Sequence, residues 1–176
     1  MILTGRAIAD AVSNGDIVIS PFDENAIGVN SYDFRLGNRC RTYDGDVLDS
    51  SVVNPSSLTV IGDEGMVIVP SRLYLFNTYE TMGSNKYVPI IRGRSSVGRL
   101  GLFIDITADL IDIGSINQWT LQLHAVSPIK IYPGMKIGQV TFWKPHGEIE
   151  LYNGKYGSLE SPVASMSYRD PEFGSG

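Results

Sequence analysis

Residues 92–122 read R-G-R-S-S-V-G-R-L-G-L-F-I-D-I-T-A-D-L-I-D-I-G-S-I-N-Q-W-T-L-Q, and this stretch carries most of the information on fold and function. Its first part joins arginines, paired serines and glycines, and it predicts a short helix capped by Ser95 or Ser96, with Arg99 one turn further on. Guanidinium groups, hydroxyls and free backbone N–H groups are typical ligands of phosphate. Taken alone, however, the pattern is more typical of an ordinary helix cap beside a surface arginine.

Alternation of apolar and polar residues predicts two strands in the rest of this stretch. Residues 103–107 alternate as in a half-buried strand. The run 119–125 places Trp119, Leu121, Leu123 and Ala125 on one face and Thr120, Gln122 and His124 on the other. The three polar side chains indicate a solvent-exposed face first and a polar pocket second. Asp112, just before a glycine, is either a turn-forming residue or an acceptor for a ligand hydroxyl.

The remainder of the chain predicts a mainly β fold with one short helix near its start. Thr4 is a suitable N-cap for a helix that buries Ile8 and Ala11 and ends at Asn14. Short alternating runs follow, separated by Gly, Pro, Asn and Asp as in a sandwich or barrel. These runs cover residues 16–20, 31–36, 58–61, 66–69, 73–79, 87–91, 129–132 and 137–143.

Several segments in a fixed order carry a family resemblance. They are L-T-G-R-A-I, N-S-Y-D-F-R-L-G-N, G-R-S-S-V-G-R-L-G-L, I-T-A-D-L-I-D-I-G, P-G-M-K-I-G-Q and G-K-Y-G followed by P-V-A-S. Together they resemble the dCTP deaminases, including bifunctional dCTP deaminase–dUTPases, of the trimeric dUTPase superfamily. The resemblance implies a distorted jelly roll or β-barrel over residues 1–151 and a C-terminal lid over 152–171. It also implies a homotrimer with nucleotide sites between subunits.

The same resemblance implies two sets of site residues. The catalytic set is Gln122, Ser95, Arg99 and Asp112. The nucleotide-binding set is Arg94, Ser95, Ser96, Ala108, Asp112, Tyr152, Lys155 and Tyr156. Arg94 and the two serines would hold phosphates with support from Arg99, whereas Ala108 would offer backbone contacts near the base. Asp112 corresponds to a carboxylate beside the deoxyribose, which in dUTPases orients the attacking water.

Gln122 departs from the family pattern, which has a glutamate that moves a proton from the attacking water to the base and the leaving ammonia. An amide hydrogen-bonds but carries no proton, so general acid–base catalysis worth roughly two to four powers of ten would be lost. Either the glutamine was introduced to trap substrate, or it is natural and only triphosphate hydrolysis remains. We favour the first, because residues 172–176 read like a cloning scar. Asp105, Ser115 and Leu159 also differ from many relatives and leave base specificity open.

Three functions are therefore open. A dCTP deaminase would convert dCTP and water to dUTP and ammonia, with dUMP and diphosphate as later products of a bifunctional enzyme, and Gln122 would impair it. A dUTPase would hydrolyse dUTP to dUMP and diphosphate with water oriented by Asp112. A non-catalytic protein would bind dCTP, dUTP or dTTP without turnover. In the enzymes, dTTP would act as an inhibitor.

The amino-acid composition limits which binding partners and which metal chemistry the protein can have. A net charge of −5 over 176 residues opposes a nucleic-acid polymer as partner. We expect a cytoplasmic protein without signal peptide or membrane span, because no apolar run is long enough to cross a bilayer. One cysteine and two histidines cannot supply the ligands of a zinc deaminase. No protein-held metal is expected, whereas Mg²⁺ would enter bound to the triphosphate.

Overall fold

The computed structural model describes residues 1–105, 107–157 and 162–173. Near the start lies helix α1, Gly5–Ser13, which Thr4 caps by accepting a hydrogen bond from the Ala7 amide at 3.4 Å. The helix ends at Ser13 with Asn14 as its C-cap, and Gly15 follows with a φ of +76°, the left-handed conformation that favours glycine after a helix. The predicted N-terminal helix is thus confirmed. Among the described residues, no helix is long and apolar enough to cross a membrane.

Short strands make up most of the described chain. They are β1 (Val18–Ser20), β2 (Tyr32–Tyr43), β3 (Ser56–Val60), β4 (Met66–Ile68), β5 (Tyr74–Thr78), β6 (Thr81–Gly83), β7 (Val88–Gly93), β8 (Leu102–Ile104), β9 (Thr120–Ala125), β10 (Ile129–Ile131) and β11 (Lys136–Trp143). A second short helix, α2 (Ser95–Gly98), separates β7 from β8, and 3-10 turns occur at Glu24–Ala26, Ser167–Arg169 and Pro171–Phe173. Each predicted run overlaps one of these strands.

The main sheet is antiparallel and runs in the order β7-β11-β2-β5-β9-β8, with β3 added beside β2. Two small sheets, β1-β6 and β4-β10, flank it. The two ends of the main sheet approach each other, because a Cβ placed on Gly93 of β7 would lie 3.8 Å from the Ile104 side chain of β8. The sheet therefore curls into a nearly closed barrel, as the sequence predicts. The largest side chains buried inside include Tyr32, Phe34, Phe76, Leu121 and Phe142.

Strand β2 is longer than predicted, because it continues past Leu36 to Tyr43. Its pairing with β5 shifts register between Leu36 and Cys40, which breaks the alternation on which the prediction rests. The side chain of Asn77 supports the irregular part by accepting the Arg39 N–H at 3.1 Å. The predicted end of the strand at Leu36 was therefore wrong. Beyond Leu36 the Asn77 side chain, rather than a backbone carbonyl, accepts the Arg39 N–H.

The predicted serine cap of α2 is also wrong. Arg94 is the N-cap residue, with extended backbone angles, and its carbonyl accepts hydrogen bonds from Val97 and Gly98. No side chain caps this helix, and Ser95 and Ser96 are its first two residues. The helix begins there because the Arg94 amide still pairs with β11, through the Ile137 carbonyl at 3.2 Å.

Candidate functional site

A cavity of ≈ 460 Å³ lies against β9, on the side of the sheet that carries Gln122. Residues from five separate parts of the chain line it. They are Tyr43, Leu73, Leu75, Ala108, Leu110, Ile111, Asp112, Ser115, Asn117, Gln118, Trp119, Thr120, Gln122, Tyr152, Tyr156, Val163, Ala164 and Ser165. The cavity therefore brings together five of the predicted site residues, which are Ala108, Asp112, Gln122, Tyr152 and Tyr156.

Strand β9 forms one wall of the cavity. Leu121 and Leu123 are fully buried on the opposite face, in the barrel core. Thr120 and Gln122 are half-buried and line the cavity. The alternation was predicted correctly, but the polar face borders a pocket rather than open solvent, because other segments of the chain cover it.

Asp105 connects this wall to β8. Its N–H donates to the Gln122 carbonyl at 3.1 Å, and its Oδ1 accepts the Gln122 N–H at 2.6 Å. The predicted strand 103–107 ends at Ile104, because Asp105 adopts a φ of +45° that leaves the strand conformation; Ile106 lies outside the described residues. Asp105 is only 4% exposed. This burial raises its pKa to about 7, against the lowering effect of the Gln122 N–H, and the charge of Asp109 raises it further.

The second wall is the segment that carries Ala108 and Asp112. Both residues are exposed and line the mouth of the cavity. The main-chain carbonyl of Asp112 accepts the Ser115 N–H at 3.1 Å, so a backbone hydrogen bond closes this turn. Asp112 thus brings a carboxylate to the exposed part of the cavity lining.

Tyr152 and Tyr156 attach the C-terminal segment to this second wall. The Tyr152 amide donates to the Ile113 carbonyl at 2.8 Å, and its hydroxyl accepts the Tyr156 N–H at 3.2 Å. The Tyr156 hydroxyl in turn accepts the Met166 N–H at 2.8 Å. The two tyrosines therefore link the cavity mouth to the last described part of the chain.

Residues 162–165 cross the cavity and return to the barrel. The Pro162 carbonyl accepts the Arg41 Nε–H at 2.9 Å, and the Val163 amide donates to Thr120 Oγ1 at 3.1 Å. The Ser165 amide donates to the Tyr43 hydroxyl at 2.8 Å. Backbone groups of this segment are therefore fixed to β2 and β9, and the cavity is partly covered. Leu159 lies outside the described residues, as does part of the predicted scar, 174–176.

Lys155 lies beside the cavity but does not line it. Its ammonium forms a close ion pair with Asp170, with side-chain exposures of 24% and 36%. The hydrogen bond that the Lys155 ammonium donates to Asp170 is the main cause that raises the pKa of Lys155. The cation therefore already has an anionic partner in the C-terminal segment.

The remaining predicted site residues form what we call the arginine corner, Arg94, Ser95, Ser96 and Arg99. Both serines and Arg99 are exposed on α2, whereas Arg94 pairs with Asp33 at 3.2 Å. None of the four lines the cavity of the same chain. The structure of one chain thus leaves the corner and the cavity apart.

Sequence reasoning missed several lining residues. Tyr43 and Gln118 reach the cavity from distant parts of the chain, and no local pattern marks them. Residues 163–165 belong to the P-V-A-S motif of the predicted C-terminal segment, but none of them was named as a site residue. Thr120 shares a strand face with Gln122, and that alternation could have identified it.

The described residues contain no group of three or more His, Cys, Asp or Glu side chains placed to hold a metal ion. Cys40 is buried in the core, where burial raises its pKa to about 12. Asp112 is the sole carboxylate among the described cavity-lining residues. A donor set of this kind fits a cation that arrives on a polyphosphate and keeps most of its ligands there.

Fold and site together define a nearly closed antiparallel β-barrel with a cavity beside β9 that is partly covered by its own C-terminal segment. A family model described as dCTP deaminase-like matches residues 2–145. The chain therefore belongs to the dCTP deaminase-like family.

Three relatives carry the name "dCTP deaminase, dUMP-forming". The protein of Clostridium beijerinckii is 43% identical and that of Clostridium botulinum strain Eklund 17B is 44% identical, each over 98% of this chain and 99% of the relative. The Cytophaga hutchinsonii protein is 41% identical over the same shares.

Among solved structures, the 2′-deoxycytidine 5′-triphosphate deaminase of Agrobacterium tumefaciens is similar, with a TM-score of 0.65 and 18% identity. The match covers 82% of this chain but only 48% of that protein, so the chain spans about half of its length. This likeness supports the fold alone.

Proposed function

We propose that the cavity beside Gln122 binds a pyrimidine deoxynucleoside triphosphate, and that the protein is a dCTP deaminase in which Gln122 replaces the acid–base group. The reaction would convert dCTP and water to dUTP and ammonia, and then dUTP to dUMP and diphosphate. The observation that carries this proposal is the position of Gln122 in the cavity wall. The names of relatives about 43% identical over nearly the whole chain support it.

With Gln122 at this position, the protein would still bind the nucleotide but would lose the proton transfer that deamination requires. Its amide offers both a donor and an acceptor to the edge of a pyrimidine base, whereas it cannot take a proton from water. Removal of a general acid–base group typically costs roughly two to four powers of ten in rate. The chain as it stands would therefore hold dCTP and deaminate it very slowly.

The arginine corner would complete the site of a neighbouring copy. In the described chain its serines and Arg99 are exposed and its residues do not reach the cavity of their own subunit. Guanidinium and hydroxyl groups suit phosphate oxygens. A homotrimer with sites between subunits would place this corner against the triphosphate in the cavity of the next subunit. The corner would then supply the charge that the cavity lacks.

The C-terminal segment would close over the nucleotide as a lid. Tyr152 and Tyr156 line the cavity, and Lys155 lies close enough to Asp170 to form an ion pair there. A bound triphosphate would compete with Asp170 for this cation. Mg²⁺ would enter on the phosphates, and dTTP would bind the same site as an inhibitor. We further propose that the protein acts in the cytoplasm, on free nucleotides rather than nucleic-acid polymers.

A dUTPase is the second candidate function, and the position of Asp112 favours it. Its carboxylate lies at the cavity mouth, where it could orient water for attack on the phosphate chain of dUTP. Hydrolysis of dUTP does not need an ionisable acid–base group at position 122.

The experiment measures ammonia and dUMP formed from dCTP and from dUTP with Mg²⁺, for this chain and for Gln122→Glu. The matched control is Gln118→Glu, which puts a carboxylate elsewhere in the same cavity. We expect only Gln122→Glu to gain ammonia release, by roughly two to four powers of ten. Cleavage of dUTP alone by both forms would instead identify a dUTPase, and no product from either would identify a binding protein.

A further inference from the structure

The side chain of Asp105 accepts the Gln122 N–H, which a backbone carbonyl would accept in a regular sheet. This replacement occurs at the wall of the cavity, beside Gln122. In a regular antiparallel pair of strands, every second pair of facing residues exchanges both N–H···O=C bonds. Ile104 faces Leu123 across β8 and β9, so Asp105 would face Gln122 in this way. One of the two bonds is regular, but the Gln122 N–H goes to the Asp105 carboxylate instead of its carbonyl.

The reason lies in the backbone of Asp105. Its φ of +45° turns the chain away from β9, and Asp and Asn are the residues other than glycine that tolerate this conformation. Three positions later, Ala108 lines the cavity mouth. One residue therefore ends the strand pairing, redirects the chain into the second wall, and still holds Gln122 by both backbone groups.

Burial of the Asp105 carboxyl is unfavourable for folding, and the end of a strand does not require such a residue. Its side chain is buried, and Oδ2 has no hydrogen-bond partner among the described residues. An unsatisfied buried polar atom is unfavourable, and many strands end without one. A function at the neighbouring position 122 accounts for a carboxyl in this place.

We propose that Asp105 is a positioning residue, which fixes the backbone at position 122 and the start of the Ala108 segment so that both face the bound base. This inference rests on the proposed function, because it takes the ligand of the cavity to be a pyrimidine deoxynucleotide. Asp105 acts through Gln122 and does not itself contact the ligand.

The test compares the dCTP dissociation constant, measured by calorimetry, of the parent chain with those of Asp105→Ala and Asp105→Asn. Loss of the acceptor in Asp105→Ala should weaken binding roughly tenfold or more. Asp105→Asn should restore affinity to within a few-fold of the parent, because its amide oxygen accepts the same N–H and Asn tolerates the left-handed backbone. The control is Asp109→Asn, a partly exposed carboxylate paired with Arg92, which should bind like the parent.

A second readout isolates the positioning role from general destabilisation. The amide NMR signal of Gln122 should shift in Asp105→Ala and return near its parent position in Asp105→Asn. If Asp105→Ala does not fold, Asp105→Glu carries the same expectation of weaker binding, because the extra methylene displaces the carboxylate.

Two results would overturn this inference while leaving the proposed function intact. They are parent-like dCTP affinity in Asp105→Ala, and a loss in Asp105→Asn as large as that in Asp105→Ala. Failure of the parent chain to bind either dCTP or dUTP would instead overturn the proposed function, and this inference with it.

Discussion

The cavity and the arginine corner are built in opposite ways. The cavity depends on hydrogen bonds between residues far apart in sequence, such as that between Val163 and Thr120. Most of the corner is local, since the main-chain hydrogen bonds of α2 join residues three or four positions apart, such as Arg99 and Ser95. Only Arg94 among its four residues has distant contacts described above, with Asp33 and with the Ile137 carbonyl. The difference indicates that changes at the cavity should alter both stability and binding. Changes at the exposed corner residues Ser95, Ser96 and Arg99 should alter binding alone.

The largest expected effect concerns stability on the cavity side, at Asp105. In the unfolded chain this carboxyl ionises near its ordinary pKa of 3.8, whereas burial raises its pKa in the folded chain to about 7. The folded state therefore binds one more proton between these values, and stability falls as pH rises through that window. The contribution is about 1.4 kcal/mol per pH unit.

Urea unfolding of the parent and of Asp105→Asn at pH 4.5, 5.5 and 6.5, values chosen within that window, measures this effect. The difference in unfolding free energy should move in favour of Asp105→Asn as pH rises. A difference that stays constant over these pH values would show that Asp105 does not titrate as described.

The next effect concerns binding at the arginine corner. Arg99→Ala should weaken dCTP binding roughly tenfold to a hundredfold, the usual cost of a lost charged hydrogen bond, and should leave deoxycytidine binding unchanged. Its unfolding free energy should stay within about 0.5 kcal/mol of the parent, because Arg99 is exposed. Calorimetry with both ligands measures the first two quantities and urea unfolding the third.

Arg92→Ala is the matched control, because Arg92 lies near the corner with 72% of its side chain exposed and pairs with Asp109. It should bind dCTP like the parent. Equal losses in the two variants would show that general positive charge, rather than the corner, attracts the phosphates.

The smallest effect concerns the ion pair between Lys155 and Asp170. Asp170→Asn removes the anion that competes with phosphate, so dCTP affinity should rise by up to about fivefold, in line with the strength of an exposed ion pair. Glu172→Gln, a nearby loss of one negative charge, should have no such effect. An unchanged affinity in Asp170→Asn would mean that Lys155 does not exchange one anion for the other.

Much of the barrel could be predicted from sequence, because alternation and turn residues are local signals. The helix capped by Thr4 and the buried face of β9 are two examples. The predictions failed where side chains replaced backbone hydrogen bonds. Asn77 does so beside β2 and Asp105 does so beside β9, and both bonds join residues distant in sequence.

The site was predictable to a different degree on its two sides. The arginine corner is a continuous motif, and it could be read directly. At the cavity, Gln122 and Asp112 were identified through family resemblance. Tyr43 was not, and residues 163–165 were included only as part of the predicted lid, without being named as site residues. Their positions depend on how the C-terminal segment returns to the barrel, which no periodic pattern encodes.

We have proposed that the cavity beside Gln122 binds a pyrimidine deoxynucleotide. The most direct measurement is calorimetric titration of dCTP into the parent chain, Ala108→Trp and Val29→Trp. Ala108 is exposed at the cavity mouth, so an indole there should block entry without disturbing the core, whereas Val29 is exposed away from the cavity. We expect dCTP to bind to the parent and to Val29→Trp but not to Ala108→Trp. Unchanged binding to Ala108→Trp, or no binding of dCTP to the parent, would contradict it.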